Sequence, residues 1–120
     1  MSITLEEIEI ALTNNGFNLT ETTTKLVEYR STRSGRILYV YKEQGFPDHA
    51  DVIVHPDADA TTLLAIPGVQ GNRRVAYRFG SNMTSFPTRL NKGVEPEHFG
   101  RALYVFTSDA MAKLCRTYGA

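Results

Sequence analysis

The sequence predicts an α+β domain: a mainly antiparallel sheet of four to five strands, with an N-terminal and a C-terminal helix packed on one of its faces. Amphipathic helical patterns stand at the two ends of the chain, and β-branched and aromatic runs fill the middle. No repeating strand–helix alternation, which a parallel sheet would require, is present. The 120 residues, 42% apolar and 22% charged, suit one domain over residues 1–120 of a size that buries roughly two thirds of the unfolded chain's surface.

The first helix is marked at both ends. Thr4 and Glu7 make a capping box, Ile3 and Ile8 hold the positions of a hydrophobic staple, and Asn14, Asn15 and Gly16 supply a left-handed stop. Leu5, Ile8 and Leu12, with Ala11 beside them, recur at helical spacing, so the helix is expected over Leu5–Asn14. Phe17 leads into Thr20–Thr24, whose β-branched content favours extended chain. Lys25–Ser31 and Arg36–Lys42 then read as a hairpin about Thr32–Gly35. Its second arm carries Ile37, Tyr39 and Tyr41 on one face and Leu38 and Val40 on the other, which places it inside the sheet.

Gln44–Asp48 is a turn-rich connection, and Asp51–Pro56 is a strand ended by its proline. Asp57–Ile66 has room for one short helical turn capped by Asp57 or Asp59, and Pro67–Asn72 reads as a plain turn. Arg73–Gly80 alternates Val75, Tyr77 and Phe79, expected to face the core, with Arg74, Ala76 and Arg78, expected to face solvent. A long Gly- and Pro-punctuated loop follows, expected to pack as a lid anchored by Phe86 and Phe99. Ala102–Thr107 is the last strand, and Thr107 or Ser108 caps a helix whose stripe is Met111, Leu114, Cys115 and Tyr118.

Composition narrows the chemistry. Cys115 is the only cysteine, so an intrachain disulfide and a multi-cysteine zinc site are both excluded, which favours a reducing, cytoplasmic setting. The N-terminus is acidic and no apolar run reaches the ~20 residues a bilayer requires, so neither a signal peptide nor a membrane span is expected. Net charge is zero, so general attraction to nucleic acid or anionic lipid is not expected. Charge is segregated, however. Arg30, Arg33, Arg36 and Lys42 lie in one stretch, Glu43, Asp48, Asp51, Asp57 and Asp59 in the next, and Arg73, Arg74, Arg78, Arg89 and Lys92 in a third. Pairing of these blocks across the sheet is the expected arrangement.

No catalytic signature is present. His49, His55 and His98 lie near acids in sequence but match no metal-ligand spacing, so no metal and no cofactor are expected. Cys115 lies on an apolar helical stripe, as a small hydrophobe does. A hydrolase would have to bring His55, Asp57 and His98 together. The remaining constellation is basic and aromatic: Arg73, Arg74, Arg78, Phe86, Arg89, Lys92 and Arg101 form a candidate partner- or anion-binding set, because arginine forks grip carboxylate or phosphate.

Asn15-Gly16-Phe17 after the first helix, Tyr29-Arg30, Tyr39-Val40-Tyr41, Val52-Ile53-Val54-His55-Pro56 and His98-Phe99-Gly100 together resemble the YgaC-like family of small bacterial cytoplasmic proteins. The resemblance implies an α+β fold and a bacterial cytoplasmic origin; it brings no established activity and no functional residue. The expected function is therefore that of a non-enzymatic binding protein, an inhibitor or immunity-type factor that neutralises another protein such as a toxin or nuclease. A nucleic-acid-binding accessory protein and a small hydrolase are the alternatives, and a homodimer through an exposed sheet edge is a further arrangement to test.

Overall fold

The structure, a computed structural model, describes residues 4–41, 49–72, 75–80, 82–90 and 95–120. Expectations about Ile3, Lys42, Glu43, Gln44–Asp48, Arg73, Arg74 and Lys92 lie outside the described residues. The chain runs α1 (Leu5–Asn14), β1 (Phe17–Thr22), β2 (Leu26–Ser31), β3 (Ile37–Tyr41), β4 (Ala50–Val54), α2 (Ala60–Leu64), β5 (Val69–Gly71), β6 (Tyr77–Phe79), β7 (Thr88–Leu90), β8 (Pro96–Val105) and α3 (Ser108–Tyr118). Every strand pairing described is antiparallel.

The two terminal helices form where their caps specify. Thr4 Oγ1 accepts the Glu7 N–H at 3.1 Å while Glu7 Oε1 accepts the Thr4 N–H, and Thr107 Oγ1 accepts the Ala110 N–H at 3.0 Å. Gly16, at φ +85°, takes the left-handed turn that releases the chain into β1. Of the two acids in position to cap α2, Asp59 does so through the Thr62 N–H.

The sheet is larger than the sequence predicts. The path β1-β2-β3-β4-β8-β5 is joined by β6 and β7, making eight strands among the described residues. The difference comes from β8, which starts at Pro96 instead of Ala102 and serves as an axial strand for four others. β4 pairs with its Arg101–Val105 half and β7 with its Pro96–His98 end, while β5 and β6 pair along Leu103–Val105 and Phe99–Arg101. Successive residues of a strand send their backbone groups to opposite edges. Thus Ala102 bonds to Asn72 and Ala76 on one edge, and Phe99 bonds to Pro87 on the other. β5 and β6 therefore follow each other along one edge of β8, and β7 continues the track of β4 along the other. Val69–Gly71, read from sequence as part of a turn, is a strand; among the described residues of 73–80, the strand is Tyr77–Phe79.

Each face of the sheet has its own core. On one, Ile8, Ala11 and Leu12 of α1 and Ala110, Met111, Leu114, Cys115 and Tyr118 of α3 pack on Val27, Tyr29, Leu38, Val40, Val52, Val54, Leu103 and Val105. Both terminal helices thus cover the same face. On the other face Leu26, Ile37, Tyr39, Ile53 and Ala102 are covered by Met83 and Phe86 from the segment between β6 and β7. That segment is the lid, and Phe86 anchors it as expected. Met83 is the second anchor, since Phe99 belongs to β8 and points to the opposite face.

Candidate functional site

The lid is fastened by polar contacts as well as by its two anchors. Glu28, on β2 directly opposite Tyr39 on β3, is only 7% exposed, and its carboxylate accepts from Tyr39 Oη at 2.6 Å, Thr20 Oγ1 at 2.7 Å and Ser85 Oγ at 3.2 Å. Tyr39 Oη in turn accepts the Ser85 N–H at 3.1 Å. Burial opposes ionisation of Glu28, yet the hydroxyls of Tyr39, Thr20 and Ser85, with the charge of Arg30, hold its carboxyl below the ordinary value. Burial and the hydrogen bond to Glu28 push the Tyr39 phenol up to about 12. Beneath the lid, Phe86 meets Tyr39 edge-on at 4.9 Å between ring centroids. Its ring lies over Gly100, where a Cβ would stand 2.7 Å from Phe86 Cε2 and 2.6 Å from Ile53 Cγ2. Only glycine fits there.

The chain leaves the lid and enters β7 at the far end of β8, where the sheet presents its basic and aromatic face. Arg89 stands opposite Glu97, and strand alternation puts it on the same face as Phe99 and Arg101 of β8 and Tyr77 and Phe79 of β6. The Arg89 guanidinium carbon lies 4.8 Å from the Tyr77 ring centroid, 5.6 Å from that of Phe79 and 4.7 Å from that of Phe99. Phe99 is stacked on Phe79 and edge-on to Tyr77. Arg101 shares the Tyr77 ring at 5.0 Å and donates to Tyr77 Oη at 3.0 Å. Two guanidinium groups are thus gathered on one aromatic platform. Neither has an ion-pair partner among the described residues, and the buried Arg101 Nε–H has no hydrogen-bond acceptor among them.

This arrangement divides the basic set read from the sequence. Arg89 and Arg101 come together. Arg78 points to the opposite face, 3.4 Å from Asp51 and 4.5 Å from the Tyr41 ring centroid, so it joins the basic and acidic blocks within the chain. Phe86 is 4% exposed and faces the core under the lid, so it is not available to a partner. Arg73, Arg74 and Lys92 lie outside the described residues. The expectation that Val75, Tyr77 and Phe79 face the core is corrected as well. Val75 is 46% exposed and precedes the strand, while Tyr77 and Phe79 are half-buried against Phe99 and the arginines. The physical reason is position: the helices pack on the Leu103–Val105 half of β8, and β6 lies alongside Phe99–Arg101.

The histidines are occupied singly. His55 Nδ1 accepts the Asp57 N–H at 3.0 Å, which puts its proton on Nε2, whereas His98 Nδ1 donates to the Phe86 carbonyl at 2.7 Å. The His55 and Phe86 rings meet in a T-shaped contact at 5.6 Å, the Asp57 side chain is 88% exposed, and no hydrogen bond joins His55 to His98. His49 lies 3.4 Å from Asp51 and is stacked on Tyr104 at 3.8 Å. Among the described residues no three His, Cys, Asp or Glu side chains are grouped to hold a metal ion. Cys115 is buried, and burial pushes its thiol up to about 12, which leaves it in the unreactive thiol form at neutral pH. Among the described residues no helix is long and apolar enough to cross a membrane.

Two features escape a reading of the sequence: the three-ring platform under Arg89, and the clasp of Glu28, Tyr39 and Ser85. A signal for the second exists. Glu28 is an acid on the strand face that Leu26 shares with Ile37 and Tyr39, and an acid at such a position has to be satisfied by partners. No family model matches the chain, and no curated protein matches it significantly.

Proposed function

We propose that the chain is a non-enzymatic binding protein, an inhibitor or immunity-type factor, that captures another protein by gripping its surface carboxylates with Arg89 and Arg101. The observation that carries this reading is the pair of guanidinium groups on Tyr77, Phe79 and Phe99, neither of which forms an ion pair with a described acid. A ring holds a guanidinium by its face and leaves N–H donors on its edge to fork onto a carboxylate; Arg101 gives one of its donors to Tyr77 Oη, and Arg89 gives none to a described partner. Arginine and aromatic side chains are also the types that dominate protein interfaces, and the exposed Leu90 and Val75 lie on β7 and just before β6.

A nucleic-acid partner is the second reading, because a phosphate suits the same fork. Against it stand the zero net charge and the ring faces, which Arg89 already covers and which stacking bases would need. The test is capture from a host extract by the native chain and by the Arg89→Ala/Arg101→Ala variant, with titration of a single-stranded oligonucleotide in parallel. One protein retained by the native chain and lost from the variant is expected. Equal capture by both forms overturns the assignment, and oligonucleotide binding lost only in the variant transfers it to nucleic acid.

A further inference from the structure

We infer that Ser85 is a positioning residue for Arg89: its contacts with Glu28 and Tyr39 on the lid face hold the arginine in its ring cage on the opposite face. Four consecutive ties connect the two. Ser85 is bound at its N–H by Tyr39 Oη and at its Oγ by Glu28. Phe86 is buried over Gly100, and its carbonyl accepts from His98 Nδ1. The Pro87 carbonyl accepts the Phe99 N–H at 2.9 Å, and the proline ring removes a backbone rotation at that point. Thr88 and Arg89 then pair with His98 and Glu97.

β7 cannot fix this position alone. It is three residues long, all exposed, and its only described ladder is to β8, whereas strands that hold themselves in place are longer or paired on both edges. What precedes it therefore determines where Arg89 stands, and what precedes it is the clasp. Strand alternation carries the effect through the sheet: Thr88 shares the lid face with His98, and the next residue, Arg89, emerges on the platform. Release of Ser85 frees Phe86 to lift from Gly100, and Arg89 leaves the rings with it.

The consequence for binding rests on the function proposed above; the coupling itself does not. The test is the proton NMR spectrum of the Arg89 side chain, whose signals the rings at 4.7–5.6 Å displace upfield in the native chain. Ser85→Ala, at an exposed position, and Tyr39→Phe, which keeps the ring and removes the hydroxyl, are each expected to cut that displacement by at least half. Methyl signals of Leu12 and Leu114 on the helix face should stay in place. Where Tyr39→Phe disturbs those methyl signals as well, Ser85→Ala decides alone. Unchanged Arg89 signals in Ser85→Ala overturn the inference. If Ser85→Ala shifts them while Arg89→Ala leaves partner capture intact, the coupling stands and the binding role falls.

Discussion

α1 and α3 close one face of the sheet with a continuous apolar stripe, whereas the lid closes the other with two apolar anchors and a hydrogen-bonded carboxylate. The helical cover is held by area: its side chains interlock, and one contact more or less leaves the rest in place. The lid has little area, so its position depends on directed bonds. Its clasp is charged at one end, which ties the lid to pH through a carboxylate packed into its own core, whereas the helical cover meets pH through the exposed cap Glu7. The same directedness gives the lid a use, because it delivers Arg89 to a defined place on the platform.

The largest effect should follow from breaking the area-held face. Leu114→Ala removes a fully buried side chain from the middle of α3 and should cost about 2–5 kcal/mol, read from the denaturant midpoint. A loss below about 1 kcal/mol would mean that this face collapses into the gap. Gly100→Ala strikes the lid face instead. Its methyl would stand 2.6 Å from Ile53 Cγ2, and 2.7 Å from both Phe86 Cε2 and the Val54 carbonyl oxygen, and should cost about 1–3 kcal/mol as Phe86 is displaced. Hydrogen exchange at the Ser85 and Phe86 amides should accelerate while α1 and α3 keep their protection. Unchanged exchange at those amides would show that Phe86 does not depend on the space above Gly100.

The clasp can be separated from the anchors by charge. Glu28→Gln keeps the shape, removes the ion and should cost about 1–3 kcal/mol at neutral pH. The pH dependence follows from the sign of the shift. The folded state lowers the Glu28 pKa, so its stabilisation is complete above the ordinary value of 4.5 and disappears as pH falls through the folded value. The gap between native and Glu28→Gln stability should therefore close below pH 4.5. Comparing the two chains cancels Glu7 and Asp59, whose carboxyls are also held low by capping contacts with Thr4 and Thr62. A gap that stays constant down to pH 2.5 (roughly two pH units below the ordinary carboxylate range) would sink the charged clasp.

Legibility in the sequence follows the same division. The helix face was readable because its signals are local: a capping box, an Asn-Asn-Gly stop and stripes at helical spacing specify α1 and α3 without reference to distant residues. The β2–β3 hairpin was readable for the same reason. β5 and β7 were not, since three residues carry no period, and each is a strand only because β8 lies beside it. Pro96 concealed the start of β8, although proline is tolerated where a strand begins. Alternation placed Tyr77 and Phe79 correctly on one face of β6. It could not show that the helices stop short of that end, which turns a predicted core position into a half-exposed platform. Arg89 and Arg101 were readable as cations, but their meeting depends on two strands flanking β8 from opposite edges.

The smallest effect on stability should come from the platform, and it is there that function should be most affected. A guanidinium on an aromatic face at an exposed site contributes about 0.5–1 kcal/mol, so Arg89→Lys should leave the denaturant midpoint nearly unchanged. The lysine keeps the positive charge and loses the planar fork. If the platform serves only to place positive charge at this end of the sheet, Arg89→Lys should capture the partner as the native chain does. If Tyr77, Phe79 and Phe99 serve to hold a fork with its donor edge outward, capture should fall about tenfold or more, the equivalent of one charge-assisted hydrogen bond of about 1.5 kcal/mol. The ring geometry favours the second outcome: three rings around one guanidinium fix the plane of a flat group, and a lysine ammonium has no plane to fix.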